Sequence, residues 1–311
     1  MATLYLVHDS FLEHDTGEWH PERPDRLKAI DRVLSSEKFQ NLHRVEAPRA
    51  TREEIVRAHS ERYFDFLDKS QPKDEPISLD GGDTVMSRGS WEAALRSAGA
   101  GIEAVNEVMQ GRASNAFCNV RPPGHHAEID TAGGFCLFNN VAIAALHAQA
   151  AHGAERVAVV DFDVHHGNGT QAMFWSRPAC FYASTHQMPL FPGSGSLGER
   201  GHNGNIVNVP LRAGDGSSQF REAYESVILP ALRRHAPDIV VVSAGFDAHR
   251  SDPLANLNLV EEDYAWITRE LIKVARDCCG GRLVSMLEGG YDLTALSRSV
   301  AVHVQALLEA F

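Results

Sequence analysis

The chain predicts an α/β fold, a mainly parallel sheet of about eight strands with helices on both faces. Two observations carry this expectation. From about Asn115 onward, short β-branched apolar runs alternate with longer segments of helical periodicity, the pattern of parallel strands joined by helical crossovers. No internal repeat, low-complexity tract or linker interrupts that alternation, so residues 1–311 read as a single domain despite a length that allows two.

In order, Leu4 to Val7 reads as a first strand that runs into a polar loop from Asp9 to Arg23. Asp25 is expected to cap a helix from Arg26 to about Leu34. Arg44 to Ala47 is a short strand. Thr51 opens T-R-E-E, a capping box with Glu54, and a helix to about Ala58. Glu61 to Leu67 is a further short helix, and the Pro/Gly/Asp-rich stretch Gln71 to Asp83 a surface loop. Ser90 to Gln110 is helical, with Trp91, Leu95, Ile102, Val105 and Val108 on its apolar face. The regular part follows. Asn115–Val120, Arg156–Val164, Cys180–Thr185, Asn205–Val209, Asp238–Ser243 and Leu283–Leu287 are strands. Val141–Ala151, a short turn near Gln171–Phe174, Gln219–His235, Val260–Asp277 and Leu293–Leu308 are helices.

Composition narrows the class. Apolar content of 43% and charged content of 23% suit a globular chain with a large core. A formal net charge of −12 argues against direct nucleic-acid binding or an anionic membrane surface as partner. Five cysteines, an odd count without C-x-x-C spacing, point to a reducing compartment. The first residues lack the marks of a signal peptide, and no apolar run approaches a membrane span. A cytoplasmic protein is therefore expected, with homo-oligomerisation left open.

The chemistry centres on Arg156 to Gln171, R-V-A-V-V-D-F-D-V-H-H-G-N-G-T-Q. An apolar run, Val157 to Val160, gives way to Asp161, Asp163 and His165 at alternate positions, which an extended chain would point to one face. Two carboxylates and an imidazole at a strand end are costly unless a cation or a hydrogen-bond network receives them. Other strands carry similar groups beyond their carboxyl ends, where open parallel sheets place their sites. R-P-P-G-H-H-A brings His125 and His126, A-G-F-D-A-H brings Asp247, and E-G-G-Y brings Tyr291. Singly, each has a plainer explanation: an Asp in a turn, a packed Tyr, a polar His pair. Their gathering on one sheet edge does not.

Asp163, His165 and Asp247 make a set of three ligands that leaves one position open, as a hydrolytic zinc site requires. His125 and His126 are candidate bases, with Asp161 and Asn168 as candidate partners; an Asp partner favours imidazolium, whereas an Asn orients the ring without charge. Tyr291 is placed to donate to a developing oxyanion.

These segments, with G-F-C-L-F-N-N and H-P-E-R-P-D-R at His20, resemble the zinc-dependent histone deacetylase family over nearly the whole chain. The resemblance is to the class II-like branch that includes bacterial histone deacetylase-like amidohydrolases and acetylpolyamine amidohydrolases. It implies an arginase/deacetylase-like three-layer α/β fold. It implies one Zn2+ on Asp163, His165 and Asp247, His126 as general base, His125 paired with Asp161, and Tyr291 polarising the amide carbonyl. Asn168 follows the class II pattern. Gly134, Phe135 and Phe191 would line a narrow tunnel for the acyl-lysine stem, and Arg26 would lie beneath the zinc near a pocket for acetate. Asp161, Asp163, His165, Ser184 and Thr185 would form a structural K+ site. The implied reaction removes acetyl groups from acetylated amines, acetyl-lysine first, acetylpolyamines as the alternative. Leu254 stands where a polyamine-preferring relative carries Glu, and the loop from Gln71 to Gly89 is short, which favours acetyl-lysine. Two rival readings fit less well. A binuclear manganese hydrolase of arginase type needs more carboxylates than these strand ends supply, and a catalytically dead acetyl-lysine-binding protein is at odds with an intact His126 and Tyr291.

Overall fold

The computed structural model describes residues 2–310. The strands are β1 (Ala2–Val7), β2 (Leu42–Glu46), β3 (Ile77–Ser78), β4 (Val85–Met86), β5 (Ala113–Cys118), β6 (Val157–Asp161), β7 (Cys180–Gln187), β8 (Ile206–Leu211), β9 (Ile239–Ala244) and β10 (Leu283–Leu287). Eight of them form one sheet in the order β2-β1-β5-β10-β9-β6-β7-β8, and every neighbouring pair is parallel. The four central strands, β5, β10, β9 and β6, are buried along their full length. In β6, β9 and β10 the apolar runs are nearly continuous rather than alternating, as in a sheet covered on both faces, while β5 buries Ser114 and Asn115.

The helices are α1 (Asp25–Leu34), α2 (Arg52–Ile55), α3 (Glu61–Lys69), α4 (Ser90–Met109), α5 (Asn140–His152), α6 (Asn168–Phe174), α7 (Ser217–Ala223), α8 (Leu229–His235), α9 (Glu261–Cys279) and α10 (Leu293–Leu308). α4 and α5 pack on each other and on the central strands, while α1, α10, α9 and α8 form a separate packed chain of helices. β5 touches both α4 and α10, so the two groups cover opposite faces. Among the described residues, no helix is long and apolar enough to cross a membrane.

The topology creates the site. The chain passes from β5 to β6 across a gap of two strand positions, which β9 and β10 fill only at the end of the sequence. The loops leaving β5, β6, β9 and β10 thus emerge side by side at one edge, a switch point of the kind where ligands bind in open α/β sheets.

Several local expectations need correction. Asp25 does not cap α1; it is the first helical residue, Pro24 precedes it, and no side chain caps the turn. A proline there has no N–H to satisfy and a φ already suited to a helix start. The Thr51/Glu54 capping box is present, but α2 ends at Ile55, short of Ala58. The stretch expected as a plain loop contains half of a small antiparallel hairpin, β3 with β4. Ser217 to His235 is one helical run, with a π turn at Tyr224–Ile228 between α7 and α8. Most consequential, β6 ends at Asp161, so Asp163 and His165 lie beyond the strand. Asp161 Oδ1 accepts the Asp163 N–H at 3.1 Å and Asp163 Oδ1 accepts the His165 N–H at 2.9 Å. These bonds from side chain to backbone two residues on replace the sheet ladder. A turn held by the carboxylates, not the alternation of a strand, sets the direction of the three side chains.

Candidate active site

Asp163, His165 and Asp247 meet just beyond β6 and β9, with one potential ligand atom from each lying within 4.8 Å of the others. His165 Nδ1 is 3.2 Å from Asp163 Oδ1 and 3.2 Å from Asp247 Oδ2. Backbone donors hold the carboxylates in place: Asp163 Oδ2 accepts from Gly289 N at 2.8 Å, and Asp247 Oδ1 from Val164 N at 2.9 Å. The approach is tight. A Cβ on Gly289 would collide with the Asp247 and Asp163 carboxylates, and one on Gly245 with Asp163, so both positions need glycine. Burial, and then the charge of Asp163, push the Asp247 carboxyl up to about 6. Burial would also depress the His165 imidazole, but its bonds to Asp163 and Asp247 outweigh it and lift it to about 10. The cluster thus demands a positive charge at its centre, and its donors, two carboxylates and one imidazole, fit a zinc ion with an open coordination position. No other group of three or more His, Cys, Asp or Glu side chains is arranged for a metal among the described residues.

His125 and His126, carried on the loop after β5, lie with ring centroids 4.0 Å apart and planes tilted by 48°, but have different partners. His125 Nδ1 lies 2.9 Å from Asp161 Oδ2, and His126 Nδ1 lies 2.9 Å from Asn168 Oδ1. Burial lowers both. For His125 the charges of Asp161, Asp163 and Glu288 reverse the effect and hold it well above the ordinary histidine range. For His126, neighbouring His125 and His165 add to burial and hold it well below. One ring is therefore kept charged and the other kept neutral with a lone pair, an acid–base division set by environment. Asp161 Oδ2 also accepts from the Tyr182 hydroxyl at 3.0 Å, which helps hold the carboxylate against His125.

A cavity of about 280 Å³ leads to these groups. His126, His165 and Tyr291 lie in its wall with Gly134, Phe135, Phe191 and Leu254. Pro21, Asp83 and Leu190 complete it. Phe135 adopts φ 70°, rare for a bulky residue, and its N–H is held by Thr84 Oγ1 at 3.1 Å. Its ring meets Tyr291 edge-on at 6.0 Å, while Phe191 meets His126 at 5.0 Å. Gly134 backs onto the His126 ring so closely that a Cβ would overlap it. Burial keeps the Tyr291 phenol well above its ordinary range despite the nearby Arg26, so it retains its proton.

Arg26 is not in the cavity wall. It is fully buried, its ring-side face lies 4.9 Å from the Tyr291 centroid, and it donates to Gly290 O at 2.6 Å, Glu288 O at 2.5 Å and Glu22 Oε1 at 3.0 Å. These bonds tie Arg26 to the loop that carries Tyr291. Ser184 is the register partner of Asp161 on β7, but its hydroxyl is bonded to His186 Nδ1 at 2.9 Å, and Thr185 Oγ1 donates to the Tyr224 hydroxyl at 3.4 Å.

Two acids at the site escaped the sequence reading. Glu288 accepts from the backbone of Gly124 and His125, at 2.6 and 3.2 Å, and from Ser243 Oγ at 3.0 Å. Burial pushes it up to about 7. Asp252 accepts from the N–H groups of Tyr291 and Leu254, at 2.7 and 3.0 Å. Both sit just after sequence features already singled out, Glu288 at the end of β10 and Asp252 five residues after Asp247, which is the one signal that could have found them.

The chain is 40% identical over 310 residues to the chloroplastic histone deacetylase 14 of Arabidopsis thaliana, an alignment that covers 94% of this chain and 73% of that protein. It is 39% identical over 294 residues to the histone deacetylase-like amidohydrolase of Pseudomonas aeruginosa, covering 93% and 77%. Its backbone superposes on the crystal structure of the HDA15 HD domain with a TM-score of 0.93 at 36% identity, covering 100% of this chain and 90% of that one. The histone deacetylase domain profile matches residues 20–307. A parallel sheet whose switch point carries the same domain over nearly its full length leaves one assignment: the chain belongs to the histone deacetylase family of hydrolytic deacetylases.

Proposed function

We propose that this protein hydrolyses the acetamide of acetylated lysine side chains, with a zinc ion held by Asp163, His165 and Asp247. The observation that carries the reading is the cavity itself: Phe135, Phe191 and Leu254 give it apolar walls suited to an alkyl stem, and His126, His165 and Tyr291 stand in it together. When bound, zinc supplies Lewis acidity toward water and the amide carbonyl.

The chain's residues do the rest. His126, neutral and tied through Nδ1 to Asn168, takes a proton at Nε2 from the attacking water. Tyr291 keeps its proton and donates a hydrogen bond to the carbonyl oxygen as it becomes anionic. His125, charged beside Asp161, steadies the negative charge that builds up in front of it. The proton taken up by His126 passes to the leaving nitrogen, the C–N bond breaks, and acetate and free amine depart. A potassium ion beside Asp161, Asp163, His165, Ser184 and Thr185 belongs to the same reading, supported by the pairing of Asp161 with Ser184.

Acetylpolyamines are the second reading. Asp83 is a carboxylate in the cavity wall and would attract a substrate with a further ammonium group. The deciding experiment compares kcat/KM on an acetyl-lysine peptide, acetylputrescine and acetylspermidine, with and without a chelator. Preference for the peptide by tenfold or more supports the first reading. Preference for the polyamines replaces it, and chelator-insensitive turnover removes zinc from the scheme.

A further inference from the structure

Asn168 links His126 to a carboxylate outside the cavity. Its Oδ1 lies 2.9 Å from His126 Nδ1, and its Nδ2 donates to Glu128 Oε1 at 2.8 Å. Nδ2 also reaches the His126 carbonyl at 3.4 Å. Glu128 is exposed, two residues beyond His126, and a bond from its own N–H to Thr131 O at 2.9 Å fixes the turn that carries it. Asn168 is the first residue of α6, on the far side of that contact.

The donor and acceptor pattern has a consequence for the base. A carboxylate can only accept, so the face of the amide that meets Glu128 must be its NH2 group. The oxygen then faces His126, and an amide oxygen can only accept. His126 must therefore carry its proton on Nδ1, which leaves the Nε2 lone pair available. If the amide were reversed, its NH2 would meet Nδ1 and select the Nε2–H tautomer, which cannot take a proton at Nε2. The contact to the His126 carbonyl favours the same orientation as Glu128, but at 3.4 Å it is much the weaker of the two.

We propose that Glu128 is a positioning residue that fixes the amide orientation of Asn168 and, through it, the tautomer in which His126 acts as base. This rests on the reading that His126 is the base. Glu128 has no ion-pair partner among the described residues, so no cation competes with Asn168 for its carboxylate.

Three variants and one spectroscopic measurement test it on the zinc-loaded protein. Glu128→Ala is expected to lower kcat about tenfold, the scale of one lost charge-assisted hydrogen bond, with KM and zinc content unchanged. Glu128→Gln keeps an acceptor oxygen but adds an NH2 group, so it no longer dictates the orientation of Asn168 and is expected to recover only part of that loss. Asn168→Asp places a second carboxylate against Glu128, so it should be more damaging in the native background than with Glu128→Ala, a reversal of sign that a loss of packing does not produce. In 15N-histidine NMR, His126 should be an Nδ1–H tautomer in the native protein and should move toward Nε2–H in Glu128→Ala. An unchanged His126 tautomer in Glu128→Ala overturns the proposal. The tautomer is read without turnover. A protein that shows the expected shift but has no deacetylase activity keeps the role of Glu128 and sinks the assignment of the base.

Discussion

Asp252 Oδ2 accepts the backbone N–H of Tyr291 at 2.7 Å. Its other oxygen accepts from Leu254 at 3.0 Å, so one buried carboxylate ties the loop after β10 to the loop after β9. The phenol of Tyr291 and the Leu254 wall of the cavity are thereby placed by the same side chain.

Asp252→Ala should release Tyr291 from its position. A misplacement of about 1 Å at a reacting group costs on the order of 10²-fold in rate. We expect kcat to fall by about that factor with zinc content unchanged, and Asp252→Asn, which keeps one acceptor oxygen, to lose less. Steady-state kinetics with metal analysis checks both; equal losses in the two variants would point to the charge and not to the placement.

Tyr291→Phe removes the donor without disturbing the packing against Arg26 and Phe135. Losing one oxyanion donor costs about 10²–10³ in kcat. The loss should fall on kcat with KM little changed, and near-native turnover in this variant would take Tyr291 out of the reaction.

Asp247→Ala should lose the metal as well as activity. In the native protein, zinc binding only the folded state should raise Tm, and chelation should lower it. In Asp247→Ala, chelator should leave Tm unchanged. Stoichiometric zinc in the purified variant would show that Asp247 is not a ligand.

Stability should fall on acidification below about pH 6.5, through histidines away from the site. His59 Nε2 accepts the Asn139 N–H at 2.9 Å, and His303 bonds Thr268 Oγ1 at 2.6 Å and Ser285 Oγ at 2.9 Å. Burial lowers His59 to about 4 and His303 to about 3. Because the folded values lie below the unfolded one, the unfolded chain binds more protons in this window. The stability is complete above about pH 6.5 and is lost as pH falls through the folded values, by up to about 2 kcal/mol per histidine at pH 5. A Tm series from pH 7.5 to 5 should slope downward, and His303→Gln should flatten the slope; a flat native series would contradict the assignment.

Much of this architecture is legible in the residues. The apolar runs of β6, β9 and β10 are nearly continuous because both sheet faces are covered, and such a run between helical segments is readable without coordinates. Asp163, His165 and Asp247 could be singled out because ionisable side chains rarely end such runs without a use. Asp25 departs from its expected cap for a local reason: Pro24 precedes it, and an aspartate that caps nothing looks, in sequence, like any other. Glu288, Asp252 and Glu128 were overlooked because each acts on a partner remote in sequence, from 39 positions for Asp252 and Tyr291 to 164 for Glu288 and Gly124.

The sequence by itself determined the eight strands of the main sheet, which side chains follow their carboxyl ends and what chemistry those side chain types support, because periodicity and ligand chemistry are local properties. The tertiary structure alone decided that β9 and β10 fill the gap between β5 and β6, which brings Asp247 to Asp163 and Tyr291 to both. It also decided that Asp163 and His165 are aimed by a carboxylate-held turn instead of a strand, and that Asn168 shows its oxygen to His126 and its nitrogen to Glu128. Hydrogen-bond direction depends on what surrounds a group on every side, and only the folded chain supplies those surroundings.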